Sequence, residues 1–268
     1  MYKIIFFDLD GTLLNDDKKV LEENKKAIEI AKQNGIEVVI CSGRQKEFVK
    51  AYKEEASSGK YIICANGAEI YDCENKDEIF SCELDKNLCF ELYNIANENN
   101  YLIRIDTPYA RYINKKEYLR FGEIELTEDI NRLIVENKII QISIVAKEEE
   151  INNIDNFMKN KPFAKIENRF KVKYFNEDLV VINIVNISVS KGNAISGLCR
   201  YLKINIEDSV AFGDDLNDMS MFKTVGTPIA MENAIPVVKE IAKKVIGHNN
   251  RPSIAECIYE MIKENNNA

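Results

Sequence analysis

The chain predicts an α/β fold, a Rossmann-like doubly wound parallel sheet core with an inserted α+β domain, and three observations carry that prediction. Short apolar runs alternate with amphipathic helical segments through the first third of the 268 residues, and the alternation resumes in the last third. That is how a parallel sheet with helical crossovers is written in sequence. Between these thirds the strand candidates lengthen. Two acidic turns, Asp8-Leu9-Asp10-Gly11 and Gly213-Asp214-Asp215-Leu216-Asn217-Asp218, each follow an apolar run, and ligands of open sheets bind at the carboxyl ends of such strands.

Taken in order, residues 4–7 form a continuous apolar run suited to a strand buried on both faces. Residues 22–33 are amphipathic at the helical period and stop at Asn34-Gly35. A strand is expected over 37–41, a helix over 45–56 and a strand over 61–64, with Ala65-Asn66-Gly67-Ala68 turning into a hairpin of 69–71 with 79–81. The middle offers helices over 88–97 and 151–158 and strands over 102–105, 139–145 and 180–187. The last third reads as helix 191–201, strand 209–212, helix 219–222, strand 228–230, and helices 236–242 and 254–262, closing on Asn265-Asn266-Asn267 as a frayed tail. Residues 1–82 and 190–268 are thus expected to form one core interrupted by an inserted domain over 83–189, with no internal repeat or linker rich in Gly and Pro.

Composition excludes several classes of function. A chain with 46% hydrophobic and 30% charged residues is an ordinary globular one. Its net charge of −8 argues against a nucleic-acid partner, which calls for a clustered basic face. The seven cysteines include no C-x-x-C pair, and Cys41 and Cys64 lie in apolar runs as small hydrophobes. His248 is the single histidine, read as a loop residue, which disfavours histidine catalysis and His-rich zinc sites. The N-terminal apolar run is four residues long, where a secretory signal needs about 7–15. The longest uncharged stretch, 179–190, has 12 residues, against about 20 for a membrane span. A cytoplasmic protein with no membrane association is expected.

The chemistry begins at Asp8. A strand ending there and turning at Gly11 aims Asp8 and Asp10 at one crevice, where one aspartate can attack phosphorus and the other can shuttle protons. A calcium loop counted from Asp8 would need Gly at its sixth position and Glu at its twelfth; the chain has Leu13 and Lys19 there. Two acidic strand ends in one sheet suit magnesium, which takes one or two carboxylates together with phosphate and water. Lys191 opens a helix, where a cation gains nothing from the dipole. Near the acidic loops it would offset phosphate charge; read alone it is equally a surface lysine. Ser42-Gly43-Arg44 follows a strand and precedes a helix, so its hydroxyl and N–H groups either cradle phosphate or cap the helix. Asn66 belongs to a turn and, secondarily, to a loop lining the site.

Set in order, D-L-D-G-T at 8–12, S-G-R at 42–44, Lys191 and G-D-D-L-N-D at 213–218 resemble the four motifs of the haloacid dehalogenase superfamily phosphatases. A-N-G-A at 65–68 and the insertion before residue 190 are similar to the Cof-type subfamily, whose α/β cap is of the C2B type. The resemblance implies Asp8 as nucleophile, Asp10 as general acid and base, and Mg2+ held by Asp8, the Asp10 carbonyl and Asp214. It places Ser42, Lys191 and Asn217 on the phosphate with the Gly11 and Gly43 backbone, Arg44 and Asn66 toward the rest of the substrate, and Thr12 and Asp218 in support. Ala230-Met231-Glu232-Asn233-Ala234 fits the family's A-M-x-N-A, whereas the loop 248–253 lacks its usual Asp-Gly. The implied activity is magnesium-dependent hydrolysis of small phosphorylated metabolites, sugar phosphates or similar monoesters. Its rivals are a phosphosugar mutase of the same fold and a phosphometabolite-binding regulator without turnover. Arg104, Arg111, Arg169 and Tyr174 are the inserted domain's candidates for substrate choice.

Overall fold

The computed structural model describes residues 1–120, 122–126 and 129–267. The chain divides into two compact units, Met1–Phe80 with Ser190–Ala268, and Ser81–Val189. The first stretch supplies β1 (Ile4–Phe7), α1 (Glu22–Gln33), β2 (Glu37–Cys41), α2 (Lys46–Glu55), β3 (Tyr61–Cys64), β4 (Glu69–Asp72) and β5 (Asp77–Ser81). The second unit contains α3 (Lys86–Glu98), β6 (Leu102–Asp106), β7 (Arg111–Ile113), β8 (Glu123–Glu125), α4 (Ile130–Glu136), β9 (Gln141–Ala146), α5 (Glu148–Met158), β10 (Ala164–Tyr174) and β11 (Glu177–Asn186). The chain then returns with α6 (Lys191–Leu202), β12 (Ser209–Gly213), α7 (Met219–Phe222), β13 (Thr227–Ala230), α8 (Pro236–Ile241), β14 (Lys244–Val245) and α9 (Ser253–Asn266).

The first unit is built on one sheet in the order β14-β13-β12-β1-β2-β3-β4-β5. Every pairing from β14 through β3 is parallel, and β4 turns back antiparallel on β3. Because strand side chains alternate, Ile5, Phe7, Val38 and Ile40 enter one core with Ala27, Ile28 and Ala31 of α1 and Ile258 and Met261 of α9. Ile4, Phe6, Val39 and Cys41 enter the other with Ile195 and Leu198 of α6, Met221 and Phe222 of α7, and Val238 of α8. Both faces are therefore covered, which is why the strands read as unbroken apolar runs. Full burial of each such side chain contributes roughly 1.5–3 kcal/mol, so the strand ends that carry the acidic turns stand on a rigid base.

The second unit packs its helices on one face of a six-stranded sheet, β10-β11-β9-β6-β7-β8. Leu88, Leu92 and Ala96 of α3 and Ile151 and Ile154 of α5 meet Ile103, Ile142 and Ile182 there. Four strands escape sequence reading, β14 of the first unit and three here. β7 and β8 have three residues each, and β10 reads Ala-Lys-Ile-Glu-Asn-Arg-Phe-Lys-Val-Lys-Tyr with little apolar alternation. β10 is held by pairing with β11 through a turn at Phe175-Asn176, both at positive φ, the conformation of the tightest hairpins. The expected frayed tail is corrected as well. Asn265 lies within α9, its side chain accepting from the Tyr2 N–H at 2.7 Å and donating to the Tyr2 carbonyl at 2.8 Å. Among the described residues no helix is long and apolar enough to cross a membrane.

Candidate active site

Strand register assembles the site. Phe7 pairs with Phe212 on one side and Ile40 on the other, so the residues that follow, Asp8, Gly213-Asp214 and Cys41-Ser42, emerge side by side at the carboxyl edge. The Asp8 N–H donates to the Phe212 carbonyl at 3.0 Å, carrying the pairing one residue past β1. The chain then folds back at Gly11, whose φ of +79° suits glycine; a Cβ there would stand 2.2 Å from Asp214 Oδ2.

Lys191 is the centre of the buried part. Its side chain is fully buried, and its Nζ donates to Asp8 Oδ1 at 2.5 Å and to Asp218 Oδ1 at 2.6 Å. Burial disfavours its charged form, but Asp218 and Asp8 outweigh that and hold the ammonium well above its ordinary range. Asp218 also accepts from the N–H groups of Asp214 and Asp215 through Oδ2, at 2.8 and 3.1 Å, so it fastens Lys191 to the acidic loop. Thr12 Oγ1 donates to Asp214 Oδ1 at 2.7 Å and ties the two acidic turns together.

Asp8, Asp214 and Asp218 each offer an oxygen within 4.8 Å of the others. Both oxygens of Asp218 already accept hydrogen bonds, while Asp8 Oδ2 and Asp214 Oδ2 have no donor among the described residues. Burial pushes the Asp214 carboxyl up to about 7 and raises that of Asp8 against the pull of Lys191. Three carboxylates facing one ammonium leave two negative charges in excess, which a divalent cation would cancel. Hard carboxylate oxygens suit such an ion.

Asp10 and Arg44 are placed differently from the expectation. Arg44 donates to both oxygens of Asp10, from Nε and Nη2 at 2.7 Å each, and Lys18 Nζ adds a third bond at 2.9 Å. Burial would raise the Asp10 carboxyl, but the Arg44 and Lys18 hydrogen bonds prevail and hold it below its ordinary range. The Arg44 fork therefore grips the second aspartate. The contact expected of Asp10 on a metal is its backbone carbonyl; the carboxylates that cluster are those of Asp8, Asp214 and Asp218.

The remaining residues form a second wall. Ser42 is buried, and its Oγ accepts from the Arg44 N–H at 3.2 Å. It does not cap α2, whose N-cap is Gln45. Asn66, fully buried at φ +58°, accepts weakly from Asn217 Nδ2 at 3.4 Å, and its own Nδ2 has no partner among the described residues. A Cβ on Gly43 would stand 2.7 Å from Asn66 Oδ1. Cys41 is sealed behind this wall, and burial pushes its thiol far up, in keeping with a packing role. His248 Nδ1 accepts from the Asn250 N–H at 3.2 Å in a loop. In the second unit Arg169 is tied to Glu148 and Asp155 of α5. Arg104, Arg111 and Tyr174 belong to an ion-paired network with Glu123 and Asp106. Sequence reading missed the Lys18 contact; a lysine eight residues past an aspartate carries no signal of its own.

A family model described as haloacid dehalogenase-like hydrolase matches residues 5–258. YxeH from Bacillus subtilis (strain 168) is 30% identical over 281 residues, covering 98% of this chain and 99% of that protein. The 5-amino-6-(5-phospho-D-ribitylamino)uracil phosphatase YcsE from the same organism is 28% identical, covering 97% and 96%. The solved subclass IIB sugar phosphatase BT4131 is 19% identical with a TM-score of 0.76, covering 97% and 98%, a likeness of fold.

Proposed function

Because this chain belongs to the haloacid dehalogenase-like hydrolases, as a phosphatase of the Cof type with a C2B cap, we propose that Asp8 performs the attack and that Mg2+ is the metal. The substrates are small phosphorylated metabolites, sugar phosphates or similar monoesters. The observation that carries the reading is the buried Lys191 bridging Asp8 and Asp218 beside Asp214.

Asp8 attacks phosphorus in line, the bond to the leaving oxygen breaks, and an acyl phosphate forms on Asp8. Lys191 offsets charge on the equatorial oxygens, with Ser42 and Asn217 as further donors. Bound at Asp8 and Asp214, magnesium would neutralise phosphate charge. Asp10 protonates the leaving oxygen and then takes a proton from the water that cleaves the acyl phosphate. Since an aspartate gripped by Arg44 and Lys18 is held ionised, Asp10 can carry that proton only once the grip loosens. Arg44 is then free for substrate.

Residues 81–189 we assign to substrate choice, since every recognisable motif lies in the other unit. The name of YcsE, a phosphatase of a phosphorylated ribityl compound, supports a polyhydroxylated leaving group. The test is phosphate release from p-nitrophenyl phosphate and a panel of sugar phosphates, with magnesium and with excess chelator. Turnover of several monoesters that stops on chelation is expected. No turnover of any monoester overturns the phosphatase reading, and full activity in chelator overturns the metal.

A further inference from the structure

Two asparagines outside the catalytic motifs hold the turn that carries Asp10. Asn233 follows β13 and Asn249 follows β14. Asn233 Nδ2 donates to the Gly11 carbonyl at 2.7 Å, and its Oδ1 accepts from the Asn249 N–H at 3.1 Å. Asn249 Nδ2 then donates to the Leu14 carbonyl at 2.9 Å. One continuous chain of amide hydrogen bonds thus fastens both ends of the Gly11–Leu14 segment. Asn249 is 3% exposed, so water does not compete for its bond to the Leu14 carbonyl. Outside it, Asn250 Nδ2 donates to Asp16 Oδ2 at 2.8 Å and Asn250 Oδ1 accepts from the Asp16 N–H at 3.0 Å.

The clamped segment has side-chain anchors of its own, the Thr12 hydroxyl on Asp214 and the buried Leu13 and Leu14 side chains in the core. Its N–H groups point back at β1's end, Thr12 and Leu14 to the Leu9 carbonyl and Leu13 to that of Asp8. These bonds close the turn upon itself without tying it to the rest of the sheet. The asparagines tie its end carbonyls, from loops that follow two strands on the far side of β12. The turn in turn carries Thr12, which holds Asp214, and immediately precedes it stands Asp10.

We infer that Asn233 and Asn249 are positioning residues for phosphoryl transfer, acting through the Gly11–Leu14 turn to set where Asp10 and Thr12 stand. This rests on the phosphatase reading above. It also assigns a task to the 248–253 loop, which departs from the family's Asp-Gly yet presents Asn249 to the turn. An acid displaced by about 1 Å can cost on the order of a hundredfold in rate without weakening substrate binding, so the loss should fall on kcat.

Asn233→Ala, Asn249→Ala and the double variant are assayed with p-nitrophenyl phosphate and magnesium, and amide exchange of peptides spanning residues 9–15 is followed by mass spectrometry. Each single variant should lose about ten- to a hundredfold in kcat with KM within about threefold. Exchange over 11–14 should quicken at least about tenfold while exchange in β1 and β2 stays as in the parent. Because the amides act as one chain, the double variant should be within about threefold of the worse single. Asn233 is only partly buried, so its variant decides the matter if Asn249→Ala fails to fold. Near-parental kcat in Asn233→Ala, unchanged exchange over 11–14, or losses that multiply in the double variant overturns the inference. Faster exchange over 11–14 in a protein whose parent hydrolyses no monoester supports the clamp and overturns the phosphatase reading alone.

Discussion

Each unit buries a network of charge, and the two networks are balanced in opposite ways. In the second unit two arginines face two carboxylates. Arg111 donates to both oxygens of the fully buried Asp106 at 2.6 and 2.7 Å, Gln141 adds a bond at 3.1 Å, and Arg104 donates to Glu123 at 3.0 Å. In the first unit Lys191 faces Asp8, Asp214 and Asp218. Burying an ion costs several kcal/mol unless partners compensate. The second network compensates internally; the first is left short of positive charge at the strand end that carries the proposed nucleophile. A balanced network holds a fold, and an unbalanced one is completed by what it binds.

The largest effect should come from Asp8→Asn, which keeps the shape and removes the proposed nucleophile. Turnover of p-nitrophenyl phosphate should fall by roughly three decades or more, while thermal unfolding shows no loss of stability, because the excess negative charge is reduced. Retention of more than about a tenth of the parental rate would place the covalent step elsewhere.

In the second unit the pattern should invert. Arg111→Ala leaves Asp106 buried without its fork, which should destabilise the unit by about 3–5 kcal/mol in denaturant unfolding. Equal stability of Arg111→Ala and the parent would show that the network is dispensable for the fold.

The third prediction concerns pH. Burial pushes Asp214 to about 7, above its unfolded value of about 3.9, so between those values the folded protein binds more protons than the unfolded one. Metal-free stability should therefore decline as pH rises through that window, and the raised Asp8 carboxyl carries the decline further. Magnesium affinity should rise over the same range, since binding displaces the proton. Urea unfolding of the metal-free protein at pH 5 and 8 checks the first statement, and calorimetric titration checks the second. A metal-free protein whose stability is flat over that range, in the parent and in Asp214→Asn alike, would remove the imbalance from the account.

Smallest of all should be Arg169→Ala. This side chain pairs with Glu148 and Asp155 on an exposed surface, where ion pairs are worth about 0–1 kcal/mol. Stability and the selectivity ratios among phosphate monoesters should both stay within about twofold of the parent. A marked shift in selectivity would return Arg169 to the residues that choose substrate.

The parallel sheet was legible because burial on both faces demands continuous apolar runs, and Ile4–Phe7 and Ser209–Gly213 bear that mark. Asp8 and Asp214 were legible because paired acidic turns at strand ends are costly without a task, whereas Lys191, read alone equally a surface lysine, was picked out by the motif resemblance. β10 was not, since its stability comes from the ladder with β11 rather than from apolar alternation. Nor was the grip of Arg44 on Asp10, which depends on a reach across 34 residues that no local pattern encodes. Asn249 reads as one polar loop residue among several until its donor is seen on the Leu14 carbonyl, 235 residues away.

The central sheet also has a consequence for synthesis. β1 lies between β2, made shortly after it, and β12, whose pairing joins Ile4 to Ser209 and Phe7 to Phe212. On a ribosome delivering about 5–20 residues per second, β1 waits some tens of seconds with one edge unpaired. For most of that wait the nascent chain has Asp8 but neither Lys191 nor Asp214. Chaperone contacts during translation should concentrate on the open edge of β1, and chains halted before β12 should accumulate as incomplete, inactive species.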